Sequence, residues 1–226
     1  MADYIMTASG TLDFANSLFQ SKDRINANGE KVENFSCYVL IDKDTPEGQE
    51  EAKSIAKAIQ DAIVAGTQPS GNYAAPLAGL NPEDKTQVSR LRLPLKDGDT
   101  DVFKMGDHEG EKRCDVYPEF KGKWFINLGA GSHHMLAEGL IRKIVDGKMV
   151  PAVQNDVYSG NKVRANIWFT AYNAQGNKGV KARLNALLIT EPGEPLYERR
   201  DNDPFAGFGL PESGTESNDP FSGMGI

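Results

Sequence analysis

From Val163 to Tyr172 the chain alternates without a break. Val163, Ala165, Ile167, Phe169 and Ala171 are apolar, and Arg164, Asn166, Trp168, Thr170 and Tyr172 stand between them. Such a run folds as a strand with one buried face, because successive strand side chains point to opposite sides. A second run repeats the pattern, with Val180, Ala182, Leu184, Ala186 and Leu188 on one side and Lys181, Arg183 and Asn185 on the other. The turn-forming stretch Asn173-Ala174-Gln175-Gly176-Asn177-Lys178-Gly179 joins them, so the pair predicts an antiparallel hairpin. Closing it sets Arg164, Trp168 and Tyr172 beside Lys181 and Arg183 on an outer face that carries no acid.

The rest of the chain supplies more strands and one helix. Tyr4 to Phe14 and Asn34 to Ile41 read as strands, as do Leu91–Leu95 and Lys123–Leu128. Ile141–Val145 and Met149–Val153 flank Asp146-Gly147, a hairpin signal. Thr45-Pro46 predicts a helix start, with Thr as N-cap, Pro in the first turn and Glu47, Glu50 and Glu51 complementing the dipole. Ala52, Ile55, Ala56, Ile59 and Ile63 recur at helical spacing up to Gly66. Several strands, many turns and one helix predict a mainly β fold, a small barrel or sandwich with a helical insertion.

Charge is distributed unevenly along the 226 residues. The total is −7, but residues 1–120 carry net −8, residues 121–190 net +7 and residues 191–226 net −6. Local fields steer a charged ligand, so the acidic total does not exclude a polyanion from the middle segment. No run approaches the ~18 apolar residues of a membrane span. Met1-Ala2-Asp3-Tyr4 lacks the basic-then-apolar plan of a signal peptide, so the protein is expected to stay in the cytoplasm where it is made. Two isolated cysteines, Cys37 and Cys114, give neither a disulfide framework nor a zinc site.

A solvated face carries charges of mixed sign; the hairpin's outer face instead carries cations and two large rings. That composition suits single-stranded nucleic acid, in which unpaired bases offer π faces and the backbone one charge per nucleotide. Lys121, Lys123, Phe125 and Asn127 form a similar alternating face in the earlier strand. A register slip of one residue would exchange Phe125 with Trp124. The candidate contacts are therefore Arg164, Trp168, Tyr172, Lys181 and Arg183, followed by Lys123, Phe125 and Asn166. The alternative is that Trp168 and Tyr172 pack under a neighbouring loop and the cations only solubilise.

The C-terminal stretch says one thing twice: Asn202-Asp203-Pro204-Phe205 returns as Asn218-Asp219-Pro220-Phe221. From Asp201 onward there are five acids and no Lys or Arg, among Gly, Pro and Ser. Too little apolar surface is present to offset ordering entropy, so disorder is expected over 201–226, after a domain spanning 1–200. The duplicated motif reads as a short peptide for a partner's pocket, with Phe205 and Phe221 as anchors and Asp203 and Asp219 facing a basic rim.

Signals for catalysis and metals are weak. Asp97, Asp99 and Asp101 open like a calcium loop, but Val102 replaces the required Gly and His108 the closing Glu. His133-His134 lacks a third ligand at useful spacing, and Gly129-Ala130-Gly131 lacks the third glycine of a phosphate loop. No enzyme, cofactor or metal is expected.

Several blocks resemble a family of bacteriophage single-stranded DNA-binding proteins. They include Thr7-Ala8-Ser9-Gly10, Pro94-Leu95-Lys96-Asp97-Gly98-Asp99, and Tyr117-Pro118-Glu119-Phe120-Lys121-Gly122-Lys123-Trp124-Phe125-Ile126-Asn127. Asp156-Val157-Tyr158-Ser159-Gly160 and Gly176-Asn177-Lys178-Gly179-Val180-Lys181-Ala182-Arg183-Leu184-Asn185 are the more specific ones. The resemblance implies an OB-fold with an inserted helix and an acidic C-terminal tail, related to the replication single-stranded DNA-binding protein of short-tailed phages. It further implies non-sequence-specific binding of displaced strands during phage replication and recombination, in the host cell cytoplasm. Replication proteins (polymerase, helicase or primase) would dock on the tail; independently of the resemblance, the tail's five acids are expected to shield the DNA groove. Here the chain ends Met224-Gly225-Ile226, whereas related tails often end at an aromatic residue, and Gly129 to Gly139 fits no family pattern. A metal-dependent phage nuclease or a strand-annealing protein is the alternative, with a virion or scaffold β-sandwich third. Oligomeric state, including a homodimer, is left open.

Overall fold

Five strands close on themselves. The computed structural model describes residues 5–25, 29–104, 106–174 and 176–197. Its strands are β1 (Ile5–Asp13), β2 (Lys22–Ile25), β3 (Lys31–Asp42), β4 (Leu95–Asp97), β5 (Lys123–Gly131), β6 (Ile141–Val145), β7 (Lys148–Pro151), β8 (Lys162–Ala174) and β9 (Asn177–Glu191). β1 pairs antiparallel with both β3 and β8, β3 with β5, and β8 with β9. β5 and β9 complete the circuit in parallel at Leu128↔Ala182 and Gly129↔Arg183. A closed five-stranded circuit with this mixed pairing is the OB-fold barrel. β4 lies beside β5, β2 beside β3, and the β6–β7 hairpin extends the sheet from the far half of β9.

The barrel interior holds the inward sets that the alternation predicts. Val163, Ala165, Ile167 and Phe169 of β8 are buried, as are Val180, Ala182 and Leu184 of β9. They meet Cys37, Val39 and Ile41 of β3 and Ile126, Leu128 and Ala130 of β5. Each fully buried aliphatic side chain contributes about 1.5–3 kcal/mol, so this interior is the main source of stability. The 129–139 segment begins as the last residues of β5 and continues into turns, with Met135 buried and His133 Nδ1 3.0 Å from Glu138.

A single long helix, α1 (Pro46–Gly66), adds its apolar stripe to the same core. The Thr45 hydroxyl accepts from the Gly48 N–H at 3.1 Å, and Pro46 opens the first turn. Ala52, Ile55, Ile59 and Ile63 are buried as expected; Ala56 is exposed, and Ala62 completes the stripe instead. Gly66 is required by close approach, since a Cβ there would sit 2.4 Å from the Ala171 Cβ on β8.

Three expectations change. The register shifts between Asn166 and Ile167, which pair with Ala186 and Leu184, leaving Asn185 as an extra residue. A bulge of this kind reverses the inside–outside phase beyond it, so Leu187 and Ile189 are buried while Ala186 and Leu188 are half-exposed. The hairpin turn is also tighter than the sequence implies, because pairing continues to Ala174↔Asn177. Finally, regular pairing near Leu91–Leu95 begins only at Leu95; upstream, Arg92 makes one isolated bridge to Gly179.

The acidic Asp97-Gly98-Asp99 turn is held by cations. Lys43 Nζ lies 2.5 Å from Asp97 and 2.6 Å from Asp99, while Asp101 accepts from Lys96 at 2.8 Å and Arg113 at 2.9 Å. These bonds fix the connection that crosses the outside of β3 and β5.

Candidate nucleic-acid interface

The β8–β9 hairpin presents its alternate residues as expected. Trp168 stands opposite Arg183, Thr170 opposite Lys181, and Tyr172 opposite Gly179. Arg164 and Lys181 are exposed; Asn166, Trp168, Tyr172 and Arg183 are half-buried, and neither ring belongs to the hydrophobic core. At ~3.3 Å per residue, Arg164, Trp168 and Tyr172 are spaced about 13 Å apart along one strand. The Asn185 side-chain amide donates from Nδ2 to Asn166 Oδ1 at 2.9 Å and ties the two side chains together at the bulge. Among the described residues, Arg164, Lys181 and Arg183 form no ion pair within 4 Å. Glu51 of α1 is the carboxylate coupled to Arg164; burial raises its pKa, opposed by a bond from the Ser9 backbone and by the guanidinium.

The companion face on β5 differs from the expectation. Lys123 is half-buried and paired with Asp42, whose carboxyl that bond holds below its usual range. Phe125 points to the predicted side yet is only 1% exposed. The 98–122 connection folds over it, and strand alternation alone cannot distinguish an outward side that faces water from one covered by a distant loop. Phe125 packs edge-on against Phe120, with centroids 5.0 Å apart, and against Tyr38 at 5.5 Å. The Arg113 guanidinium lies 4.5 Å from the Phe103 ring and 4.8 Å from Phe125. Phe125 is thus a member of a second, small core with Leu40 and Phe120, and offers no face to a base. Phe103, Tyr117 and Phe120, aromatic side chains in an otherwise charged stretch, were the sequence signal for it.

Beside this second core is a group that strand alternation did not predict. Asp13 is fully buried, and burial pushes its pKa up to about 6 against the opposing bond from the Phe14 N–H. The Tyr197 hydroxyl lies 3.0 Å from Asp13 Oδ1 and also bonds Glu119. One hydroxyl proton cannot serve two carboxylates at once, so a proton taken up by Asp13 below about pH 6 completes the network. Asp13 Oδ2 has no partner among the described residues.

Also among the described residues, no group of three His, Cys, Asp or Glu side chains is placed to hold a metal ion. No helix there is long and apolar enough to cross a membrane. Asp203, Phe205, Asp219 and Phe221 lie outside the described residues.

A family model described as the ssDNA-binding protein of Enterobacter phage Enc34 matches residues 5–218. No curated protein matches the sequence. Among solved structures, the single-stranded DNA-binding protein from bacteriophage Enc34 in complex with ssDNA is similar, with TM-score 0.57 and 18% identity over 84% of this chain and 88% of that one. A second structure of the single-stranded DNA-binding protein from bacteriophage Enc34 gives TM-score 0.54 and 19% identity over 90% and 89%. A third, gp2.5, a single-stranded DNA binding protein encoded by bacteriophage T7, is 14% identical over 96% and 100%, with TM-score 0.48.

Proposed function

Because the chain belongs to the family of the Enterobacter phage Enc34 ssDNA-binding protein, we propose that it binds single-stranded DNA on the outer face of its β8–β9 hairpin. It is a binding protein, not an enzyme. The observation that supports this location is the pairing of Trp168 with Arg183 on a face to which the hairpin itself contributes no acid. A base stacked on an aromatic ring gains about 1–3 kcal/mol, and the neighbouring cations follow the phosphates. Every base has a π face, so such binding carries little sequence preference. In a duplex the bases stack on one another, which withholds those faces. A gel shift with single- and double-stranded oligonucleotides tests the reading, with Trp168→Ala, Tyr172→Ala as the control protein. Preference for single strands that the double variant loses supports it; equal binding by both proteins refutes the location.

The acidic 201–226 segment is assigned two roles, as a tail appended to a binding domain of about residues 1–200. Tethering to the domain would give the segment an effective concentration on the order of millimolar at the protein's own basic face. Its five acids would compete with DNA there. Once displaced, the two Asp-Pro-Phe copies, with Asp203, Phe205, Asp219 and Phe221, would be available to replication proteins such as polymerase, helicase or primase. The setting is phage replication and recombination in the host cytoplasm.

A further inference from the structure

The hairpin face continues into a cleft that the sequence did not suggest. Between β8 and the segment after α1 lies a cavity of about 370 Å³, bordered by Trp168 and Thr170 on one side and by Gln68, Ser70, Tyr73 and Pro76 on the other. Its volume falls within the range of ~300–1,000 Å³ seen for small-ligand sites. Phe169 and Ala171 of β8 and Ala62 and Ala65 of α1 also line it, and no lining residue is charged.

Tyr73 is the unusual member. It is 72% exposed, the most exposed large apolar side chain among the described residues. Yet its backbone is fixed: Ser70 and Tyr73 exchange two hydrogen bonds, Tyr73 N–H to Ser70 oxygen at 3.0 Å and Ser70 N–H to Tyr73 oxygen at 3.1 Å. Gly71, at φ +57°, makes this tight turn. The segment is anchored again at Leu77, which is fully buried and donates to the Gly66 carbonyl at 2.8 Å. A rigid turn therefore holds an aromatic ring in water across a gap from Trp168, and the two rings do not touch.

We propose that this cleft is a slot for one unstacked nucleobase of the bound strand, with Tyr73 and Trp168 as its two aromatic walls. The inference rests on the hairpin being the DNA-binding face, and adds Tyr73, from another part of the chain, to that surface. The occupant follows from the chemistry. An uncharged, apolar-walled slot takes a planar base, Gln68, Ser70 and Thr170 offer hydrogen bonds to its edge, and Arg183 and Lys181, opposite Trp168 and Thr170 on β9, are the nearest cations of the hairpin for its phosphates. With side-chain amides and hydroxyls that rotate to suit, the slot accepts any base.

The test compares the full chain with Tyr73→Ala and Tyr73→Phe by fluorescence anisotropy on oligo-dT across a salt series. Loss of one stacked base corresponds to about 5- to 150-fold weaker binding. Tyr73→Ala is expected to show it with an unchanged salt slope, since no cation is lost, and Tyr73→Phe to bind as wild type. In parallel, an oligonucleotide carrying 5-iododeoxyuridine is photo-crosslinked to the wild-type chain and the adduct mapped, with attachment at Tyr73 or Trp168 expected. Wild-type affinity of Tyr73→Ala, or adducts confined to other residues, overturns the slot while leaving the hairpin intact. Failure of the wild-type chain to bind oligo-dT overturns both.

Discussion

Trp168 on β8 and Arg183 on β9 stand directly opposite each other in the antiparallel ladder, with Thr170 and Lys181 as the next pair on the same face. Ring and charge therefore act within one nucleotide's reach, and substitution separates their contributions. Arg183→Ala and Lys181→Ala should each lower the log–log salt slope of binding by about 0.7, the contribution of one neutralised phosphate on a single strand. Trp168→Ala should weaken binding at every salt concentration and leave the slope unchanged. Titrations between 50 and 300 mM salt, on the order used for such slopes, make the distinction.

Phe125 gives the opposite signature. Its ring is enclosed by Phe120, Tyr38 and Arg113, so Phe125→Ala should cost stability of about 3–5 kcal/mol, as large-to-small core changes do. Chemical denaturation measures that loss. Reduced DNA affinity with an unchanged midpoint would instead place the ring on the binding surface.

Asp13 makes stability depend on pH. Its folded-state pKa is raised to about 6 from 3.8, so the folded chain holds the proton more tightly than the unfolded one. The associated stability is fully present below about pH 4 and is lost as pH rises through about 6. Other carboxylates act oppositely: Asp42, Asp99 and Asp156 have lowered pKa values and lose stability as pH falls. The difference between Asp13→Asn and wild type isolates the buried group. That difference in Tm should move in favour of the variant between pH 4 and 7, and a flat difference would show that Asp13 is not held protonated by burial.

Removal of Asp201–Ile226 should tighten binding to oligo-dT, most visibly at low salt, where charge competition is least screened. Equal or weaker binding by the truncated chain would count against self-shielding.

The hairpin was legible because Val163 to Tyr172 and Val180 to Asn185 keep period two, and local alternation suffices to assign the faces of those stretches. The helix was legible for a similar reason, with Thr45 and Pro46 marking its start. What escaped depends on contacts distant in sequence. The bulge at Asn185 leaves composition unchanged and moves only the phase, so Leu187 and Ile189 replaced Ala186 and Leu188 inside. Phe125 and Lys123 were placed on the correct side of β5, but the cover over one and the Asp42 partner of the other come from segments remote along the chain. Tyr73 sits in a stretch of Gly, Pro and Ala without a period, so nothing local joined it to Trp168.

The most direct measurement follows tryptophan fluorescence in a Trp124→Phe chain, which leaves Trp168 as its only indole. Saturable quenching by oligo-dT, weak or absent with duplex of the same length, is the result expected if bases stack on the hairpin. Undiminished Trp168 emission at oligonucleotide concentrations that saturate a gel shift would mean that DNA binds elsewhere on the barrel.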